Sequence, residues 1–445
     1  MKHSIPLDRI GPNGQAMADA VTACVHCGFC LPSCPTYQEL GQEMDSPRGR
    51  IYLMKGVLEG SLDPDQVQPH IDRCLGCMAC ETACPSGVRY HELLLPYRAL
   101  ANSRDRSEPT VREGVAIASR RSNAVGLRRW LTMQTLPYPS RFRAAVRAGR
   151  LARSLGKFVP TSIQPLLELL PHSLPRTGRM PVVTTAIGQR RARVALLTGC
   201  VQSVLEPAIN HATLAVLARN GVEVVVPDLQ SCCGALHWHT GDVKRARTFA
   251  RRNFSAFPHD VDAIVVTAAG CASAMLEYPL SFKTEPDEAT ARAFAAKVVD
   301  VSVFLDGLGM EAPPSPSSTL RVAVHDACHL CHAQQVRAEP RNLLRAIAGI
   351  ELLELNDDER CCGSAGTYNI DQPHVAASLG RRKAAAIRAT GCDVVATGNI
   401  GCIIQMRRHL ADSSAPPPPV LHTMQILAAA YARTLDEFLQ RAPRP

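Results

Sequence analysis

The stretches that decide the fold are CVHCGFCLPSCP (24–35) and CLGCMACETACP (74–85). Each has the spacing C-x2-C-x2-C-x3-C-P. Three cysteines at intervals of three residues wrap one loop, so that three thiolates meet one metal cluster, and the fourth cysteine lies beyond the reach of that loop. Zinc is the simpler alternative, but it needs only four thiolates, commonly from two C-x2-C pairs. Two complete runs, each closed by proline, favour iron and sulfide over zinc.

The two runs resemble those of two-cluster bacterial ferredoxins, which hold [4Fe–4S] clusters. With this spacing the fourth cysteine of each run ligates the cluster of the other run, so we expect crossed ligand sets. The first set is Cys24, Cys27, Cys30 and Cys84, and the second is Cys74, Cys77, Cys80 and Cys34. Pro35 and Pro85 should turn the chain after each run. Gly28 and Gly76 should let backbone N–H groups approach the clusters and tune their potential.

The 445-residue chain contains 18 cysteines, most of them in tight groups. A chain of this length can bury several cores and does not need the disulfide framework of a small secreted domain. Its first twenty residues hold no apolar stretch of signal-peptide length, and no run reaches the ~18 apolar residues of a membrane span. We therefore expect a cytoplasmic protein, soluble or bound peripherally to the inner face of the cytoplasmic membrane.

The formal net charge is +9, and arginines crowd into a cysteine-free segment at residues 101–190. They include Arg120, Arg121, Arg128, Arg129, Arg141, Arg143, Arg147, Arg150 and Arg153. The segment is expected to be a mainly helical connector. Its charge fits a solvated basic face or a docking surface for an acidic partner or an anionic membrane. With only 4% aromatic residues and no nucleic-acid-binding signature, a nucleic-acid partner is not expected.

The rest of the chain is an internal repeat. RVALLTGC (193–200) matches RVAVHDAC (321–328), and VDAIVVTAAGC (261–271) matches CDVVATGNIGC (392–402). A third pair consists of NGVEVVVPDLQSCCG (220–234) and AGIELLELNDDERCCG (348–363). Both copies alternate short apolar runs with stretches of helical spacing, which predicts α/β units with parallel sheets.

The expected fold is therefore α+β overall, with a helical two-cluster N-terminal domain and two homologous α/β domains. The expected boundaries are 1–100 for the cluster domain, 101–190 for the connector, 191–310 for the first Cys-Cys-Gly domain and 320–445 for the second. EAPPSPSST (311–319) is the linker between the two copies.

Each copy of the repeat has four matching cysteines. They are Cys200, Cys232, Cys233 and Cys271 in the first copy, and Cys328, Cys361, Cys362 and Cys402 in the second. Neighbouring residues on a strand point to opposite faces, so two adjacent cysteines can serve one site only if the chain turns, for which Gly234 and Gly363 give the freedom.

This pattern resembles the cysteine-rich domain of heterodisulfide reductases, whose motif ends in Cys-x-x-Cys. Here Ala274 and Gln405 stand at the last position. An unusual five-cysteine cluster is thus in doubt, and two alternatives stay open: one or two further iron–sulfur or metal sites of four cysteines, or sites degenerated into structure. His237, His239, His325, His329 and His332 lie near these cysteines and are candidate ligands or proton carriers. Cys331 and Cys392 have no counterpart in the first copy and receive no role.

Over nearly its whole length the chain resembles the iron–sulfur subunits of glycolate oxidase, anaerobic glycerol-3-phosphate dehydrogenase and lactate-utilisation complexes. Three stretches favour the glycolate oxidase family: ACVHCGFCLPSCPTYQELGQEMDSPRGRIYLMKGVLEG (23–60), CETACPSGVRYHELL (80–94) and CCGSAGTYNI (361–370). The resemblance implies an electron-transfer subunit with no catalytic residues of its own. Flavoprotein partners would hold FAD and oxidise glycolate to glyoxylate, and the electrons would go to a quinone or another acceptor. The chain itself lacks the G-x-G-x-x-G dinucleotide fingerprint.

Three alternatives remain at the level of the sequence. The chain could serve a D-lactate or anaerobic glycerol-3-phosphate dehydrogenase, because the ferredoxin-type runs specify clusters and not a substrate. It could be a structural or redox-sensing iron–sulfur protein. A self-contained disulfide reductase is the third, and the missing final cysteines count against it.

Overall fold

The computed structural model describes residues 4–102, 123–154, 170, 174–175, 178–356, 360–412 and 416–442. Much of the arginine-rich connector, including Arg120 and Arg121, lies outside these residues. Its described part forms two helices, Asn123–Thr135 and Pro139–Ser154. The second helix buries Phe142 and Val146 against Val204.

The N-terminal unit (residues 4–102) is built from helices joined by the two cysteine loops. Its helices are Gly14–Thr22, Pro35–Leu40, Pro47–Leu58, Pro64–Asp72, Ala79–Thr82 and Tyr90–Asn102, with single 3-10 turns at Leu7–Arg9 and Glu43–Asp45. Pro35 stands at the first position of its helix, where a missing N–H costs nothing. Met17, Met54, Leu58 and Leu93 are fully buried in the shared core. The loops are thus held from both ends by one packed helical body.

The remainder of the chain folds into two sheets of closely similar topology. The strands are β1 Val183–Thr184, β2 Ala192–Leu197, β3 Val222–Val225, β4 Ala263–Val266, β5 Val298–Asp300, β6 Leu320–His325, β7 Ile350–Glu354, β8 Val394–Thr397 and β9 Val420–His422. The first sheet has the order β1-β3-β2-β4-β5 and the second β7-β6-β8-β9. All pairings are parallel except that of β1, a short antiparallel edge strand. The predicted repeat and its parallel sheets are confirmed.

We call the unit on the first sheet (residues 183–308) the first half and the unit on the second sheet (residues 320–441) the second half. The first half has helices Gln202–Leu205, Ala208–Arg219, Ala235–Trp238, Val243–Ala256, Ala269–Leu276, Tyr278–Ser281, Glu288–Ala295 and Val301–Leu308. The second has Ala338–Arg345, Tyr368–Asp371, Pro373–Thr390, Ile400–Leu410, Thr423–Tyr431 and Leu435–Arg441, and a π-helical turn at His329–Ala333.

The two halves share one apolar core. Val194 and Leu196 of β2 and Val322 of β6 belong to the same buried cluster, together with Leu217 and Leu427 from helices of opposite halves. Polar links reinforce the contact, since Arg407 pairs with Glu206 at 2.6 Å. The carboxyl ends of the strands, where ligands bind in open parallel sheets, therefore lie on a rigid two-part frame.

Candidate iron–sulfur sites

The cysteines of the N-terminal unit line two neighbouring cavities. Cys24, Cys27 and Cys30 of the first run line one of them, with Cys84 of the second run. The other is lined by Cys74, Cys77 and Cys80 of the second run and Cys34 of the first run. The fourth cysteine of each run has thus crossed to the opposite cavity. Cys80 lines both cavities, so the two sites are adjacent.

Both loops use the same backbone conformation, although their residues differ. The third residue of each run, His26 or Gly76, has φ of 55° or 65°. The fifth residue, Gly28 or Met78, has φ of 89° or 60°. The left-handed region costs a residue with a side chain about 1–2 kcal/mol. Each loop therefore carries one unstrained glycine and one strained residue at the two bends that turn its thiols toward a common centre.

A buried polar network supports the second cavity. Arg50 is 1% exposed, and its Nη1 lies 3.9 Å from Cys34 Sγ and donates to Thr36 Oγ1 at 2.9 Å. Its Nη2 pairs with the buried carboxylate of Asp45 at 3.4 Å. Tyr90 Oη donates to Cys74 Sγ at 3.8 Å. Sequence reasoning missed this network, although Arg50 and Asp45 belong to one of the stretches that carry the family resemblance.

The charges of this network act on the thiols. Burial alone would raise the pKa of Cys74, but the positive charges of Arg50 and Arg98 and the N–H of Gly76 lower it below its usual value. Burial raises the pKa of Cys30 to about 11, and raises that of Cys77 and Cys80 well above the usual range. Such thiols stay protonated without a metal, and a bound cation reverses this because a coordinating thiol is deprotonated. The donor set therefore fits an iron–sulfur cluster.

The four cysteines of the first half lie together at the ends of its strands. Cys200 Sγ is 3.5 Å from Cys232 Sγ, and hydrogen bonds from Cys232 and Cys271 lower the pKa of Cys233. The expected turn is present, because Gly234 has φ +82° and its N–H donates to Cys232 Sγ at 3.4 Å. Adjacent cysteines are thereby brought to one side.

The second half repeats this arrangement with one addition. Cys328 Sγ and Cys361 Sγ are 3.9 Å apart, and Gly363, at φ +89°, donates its N–H to Cys361 Sγ at 3.4 Å. The ligand atoms of His325, Cys362 and Cys402 all lie within 4.8 Å of one another. Hydrogen bonds from Cys362 and His325 lower the pKa of Cys402 despite burial.

The two sets face a common cavity of about 680 Å³. All eight repeat cysteines line this cavity, and Arg73, Cys74 and Leu75 of the N-terminal unit form part of its wall. Cys77 and Cys361 belong to one buried apolar cluster. Tyr368 fixes the contact by donating to the carbonyl of Arg73 at 3.0 Å. The second set is thus the direct neighbour of the second ferredoxin-type site.

The structure separates the five candidate histidines. His237 Nδ1 pairs with Asp242 at 3.2 Å, and His332 Nδ1 with Thr82 at 3.0 Å, which fits structural roles. The rings of His239 and His329 lie 5.2 Å apart at the central cavity. His325 alone among the five belongs to the described group with metal-ligand spacing.

The cysteines without assigned roles lie away from these groups. Cys331 Sγ hydrogen-bonds to the Cys328 carbonyl, and no described metal-compatible group contains Cys331 or Cys392. None of the 18 cysteines forms a disulfide. Gln405, at the position of the missing final cysteine, donates instead to the carbonyl of Ala376 at 3.0 Å.

Comparison with known proteins agrees with this division. Residues 20–88 match the 4Fe-4S dicluster domain family, and residues 194–276 and 322–407 each match the cysteine-rich domain family. The probable glycolate oxidase iron-sulfur subunit of Bacillus subtilis is 37% identical over 86% of this chain and 88% of its own length. The glycolate oxidase iron-sulfur subunit of Escherichia coli is 36% identical over 95% and 97%. A subunit of the fumarate reductase (CoM/CoB) of Methanothermobacter marburgensis is 27% identical over 96% and 76%.

The chain belongs to the glycolate oxidase iron–sulfur subunit family. Members of this family are subunits of an oxidoreductase complex, so this iron–sulfur subunit is one part of an enzyme with other subunits. Its dicluster domain and its two cysteine-rich domains are iron–sulfur domains, which identifies it as an electron-transfer subunit. Within the described residues, no helix is both long enough and apolar enough to cross a lipid bilayer.

Proposed function

We propose that this chain relays electrons within a glycolate-oxidising complex. Flavoprotein partners would hold FAD and oxidise glycolate to glyoxylate, and a quinone or another carrier would receive the electrons. The names of the two relatives that cover nearly all of the chain support the substrate. The chain itself contributes no group that acts on glycolate, and its residues bind and tune the electron carriers.

The observation that carries the proposal is the sorting of the eight N-terminal cysteines into two adjacent cavities with the fourth cysteines exchanged. The proposed ligand sets are those expected from the sequence: Cys24, Cys27, Cys30 and Cys84 for one [4Fe–4S] cluster, and Cys74, Cys77, Cys80 and Cys34 for the other. Iron–sulfur clusters supply one-electron transfer when bound. Arg50, Tyr90 and the N–H of Gly76 would stabilise the negative charge of the second set.

We further propose that the repeat cysteines hold additional iron–sulfur sites. Both sets are buried, are organised by a Cys-Cys-Gly turn and border one cavity. The second set neighbours the second N-terminal set through the contact of Cys77 and Cys361. The proposed domains are 1–100, 101–190, 191–310 and 320–445.

The proposed location is the cytoplasm, with peripheral contact to the inner face of the membrane. The helix Pro139–Ser154 turns Phe142 and Val146 inward and leaves Arg141 and Arg147 exposed, which suits an anionic surface. Binding of the complex to anionic vesicles that falls steeply with salt supports this contact, and no binding at low salt would contradict it.

The test is an anaerobic purification of the tagged chain from its host with its partners, followed by separate addition of glycolate, D-lactate and glycerol-3-phosphate. We expect glycolate to bleach the visible absorbance of the clusters. Cys27→Ser should lower the iron content, whereas Cys392→Ser, outside all the sets, should leave it unchanged. Bleaching by another substrate alone would move the chain to a sister complex. Bleaching by dithionite but by no substrate, with flavoprotein present, would contradict the proposal.

A further inference from the structure

We infer that His325 completes the second Cys-Cys-Gly set as a nitrogen ligand, which makes an iron–sulfur site of mixed cysteine and histidine ligation that the first half does not have. The inference rests on the proposed function only in so far as the repeat cysteines hold iron and sulfide. It concerns which atoms of this chain ligate the cluster, and it is independent of the electron donor.

The geometry around His325 is that of a ligand. A ring nitrogen lies within 4.8 Å of the Sγ atoms of both Cys362 and Cys402, which come from two other segments of the second half. The residue is 3% exposed. Its Nε2 has no hydrogen-bond partner among the described residues. An unpaired polar atom in the interior is costly, and a metal centre is one way to satisfy it.

The first half supplies an internal control. β2 and β6 are both six-residue central strands, and each ends three residues before the first cysteine of its set. The last residue of β6 is His325, and the last residue of β2 is Leu197, which is also buried. An apolar side chain thus occupies in the first half the place that imidazole takes in the second. The four cysteines are the same in both.

The exchange changes the charge of the site. A neutral imidazole brings no negative charge to the cluster, whereas a thiolate does. Replacing cysteine by histidine ligands raises the reduction potential of iron–sulfur centres. The second set therefore forms a site that accepts electrons more readily than an all-cysteine site would. It lies against the second N-terminal set, where Cys77 and Cys361 meet.

The experiment uses the complex purified anaerobically, reduced with dithionite and examined by pulsed EPR after growth with ¹⁴N- or ¹⁵N-histidine. We expect a nitrogen coupling that follows the isotope and disappears in His325→Leu. The matched control is His237→Asn, a buried histidine of the first half that pairs with Asp242; it should keep the coupling. His325→Cys should restore a ligand and lower the midpoint potential at least tenfold in the equilibrium constant, about 59 mV for one electron.

Two outcomes overturn the inference. If the wild-type chain binds only about eight iron atoms, the number in two [4Fe–4S] clusters, the second set holds no cluster. If more iron is present and the isotope-dependent coupling persists in His325→Leu, another histidine is the ligand. Retention of about eight iron atoms in His325→Leu shows that the variant has folded. Because dithionite is the reductant, a failure of glycolate to donate electrons would overturn the proposed function without changing the nitrogen signal.

Discussion

The two halves of the repeat share strand order and cysteine positions, but their surroundings differ. The first half surrounds its cysteines with aromatic side chains, among them Phe249, Phe254 and Tyr278. The corresponding core of the second half is aliphatic, with Ile387, Ile403 and Met406. The sheets have kept their pattern because parallel strands need buried apolar runs. The residues that enclose the thiols were free to diverge.

The two halves also make different contacts. Val201 and Val204 of the first half pack on the connector helix through Phe142. The second half packs on the N-terminal unit, with Cys361 and Tyr368 beside Leu75. A duplicated domain has thus acquired one half that adjoins the ferredoxin-type sites directly and one that faces them across the central cavity. The following predictions test how far this asymmetry goes.

The largest expected effect comes from adding a methyl group at the Cys-Cys-Gly turns. A Cβ at Gly363 would lie 2.6 Å from the carbonyl oxygen of Ala376, whereas at Gly234 the nearest contact is Ala246 O at 3.1 Å. Both residues have positive φ, so both alanine variants are strained. We expect Gly363→Ala to lower the free energy of unfolding by about 4 kcal/mol and Gly234→Ala by about 2 kcal/mol. Calorimetry with iron analysis would measure both.

Gly366→Ala is the control for the cost of positive φ alone, since its φ is +59° and its nearest new contact is a flexible side chain, that of Leu236, at 3.4 Å. Equal losses at Gly363 and Gly234 would show that the two turns are packed alike. The asymmetry would then begin outside the turns.

The cysteine loops and the strands of the repeat were predictable because their signals are local. Cys24 to Cys34 lie within one run, and strands such as β4 appear as short apolar stretches bounded by turn residues. The short edge strand β1 was not predicted. Two residues give no periodic signal, and the strand exists only because β3 leaves one edge to pair with.

The sequence could not single out the residues that support the sites. Arg50 reaches Cys34 and the carbonyl of His70 only because three segments pack together. Tyr368 meets Arg73 across 295 positions of sequence. Likewise, five histidines near the cysteines looked equivalent, and only packing places His325 against Cys402. Such long-range contacts follow from tertiary structure and have no local pattern.

The next effect concerns pH, through two matched residues. Asp300 ends β5 and His422 ends β9, and each caps the following helix with its side chain. Burial raises the pKa of Asp300 to about 6 and lowers the pKa of His422 to about 4. The stability from His422 is complete above pH 6.5 and is lost as pH falls toward 4. That from Asp300 is complete below pH 3.8 and is lost as pH rises through 6.

The two residues therefore oppose each other in weakly acidic solution. Asparagine can cap in both positions and does not titrate. Between pH 7 and pH 5 we expect Asp300→Asn, which keeps His422, to lose about 2 kcal/mol more stability than the double variant. His422→Asn, which keeps Asp300, should gain about 1 kcal/mol relative to it. Thermal unfolding of the anaerobic protein at both pH values measures this, and parallel profiles for all variants would contradict it.

The smallest effect separates the two tyrosines that anchor the sets. Tyr278 donates to the carbonyl of Cys233 at 2.7 Å inside the first half, and Tyr368 donates to that of Arg73 in the N-terminal unit. Each phenylalanine variant leaves one buried carbonyl without its donor and should cost about 1 kcal/mol. Hydrogen exchange should rise around Cys233 in Tyr278→Phe, but around residues 73–77 in Tyr368→Phe. If Tyr368→Phe raised exchange only within the second half, the contact between that half and the N-terminal unit would depend on apolar packing alone, and the asymmetry in anchoring would disappear.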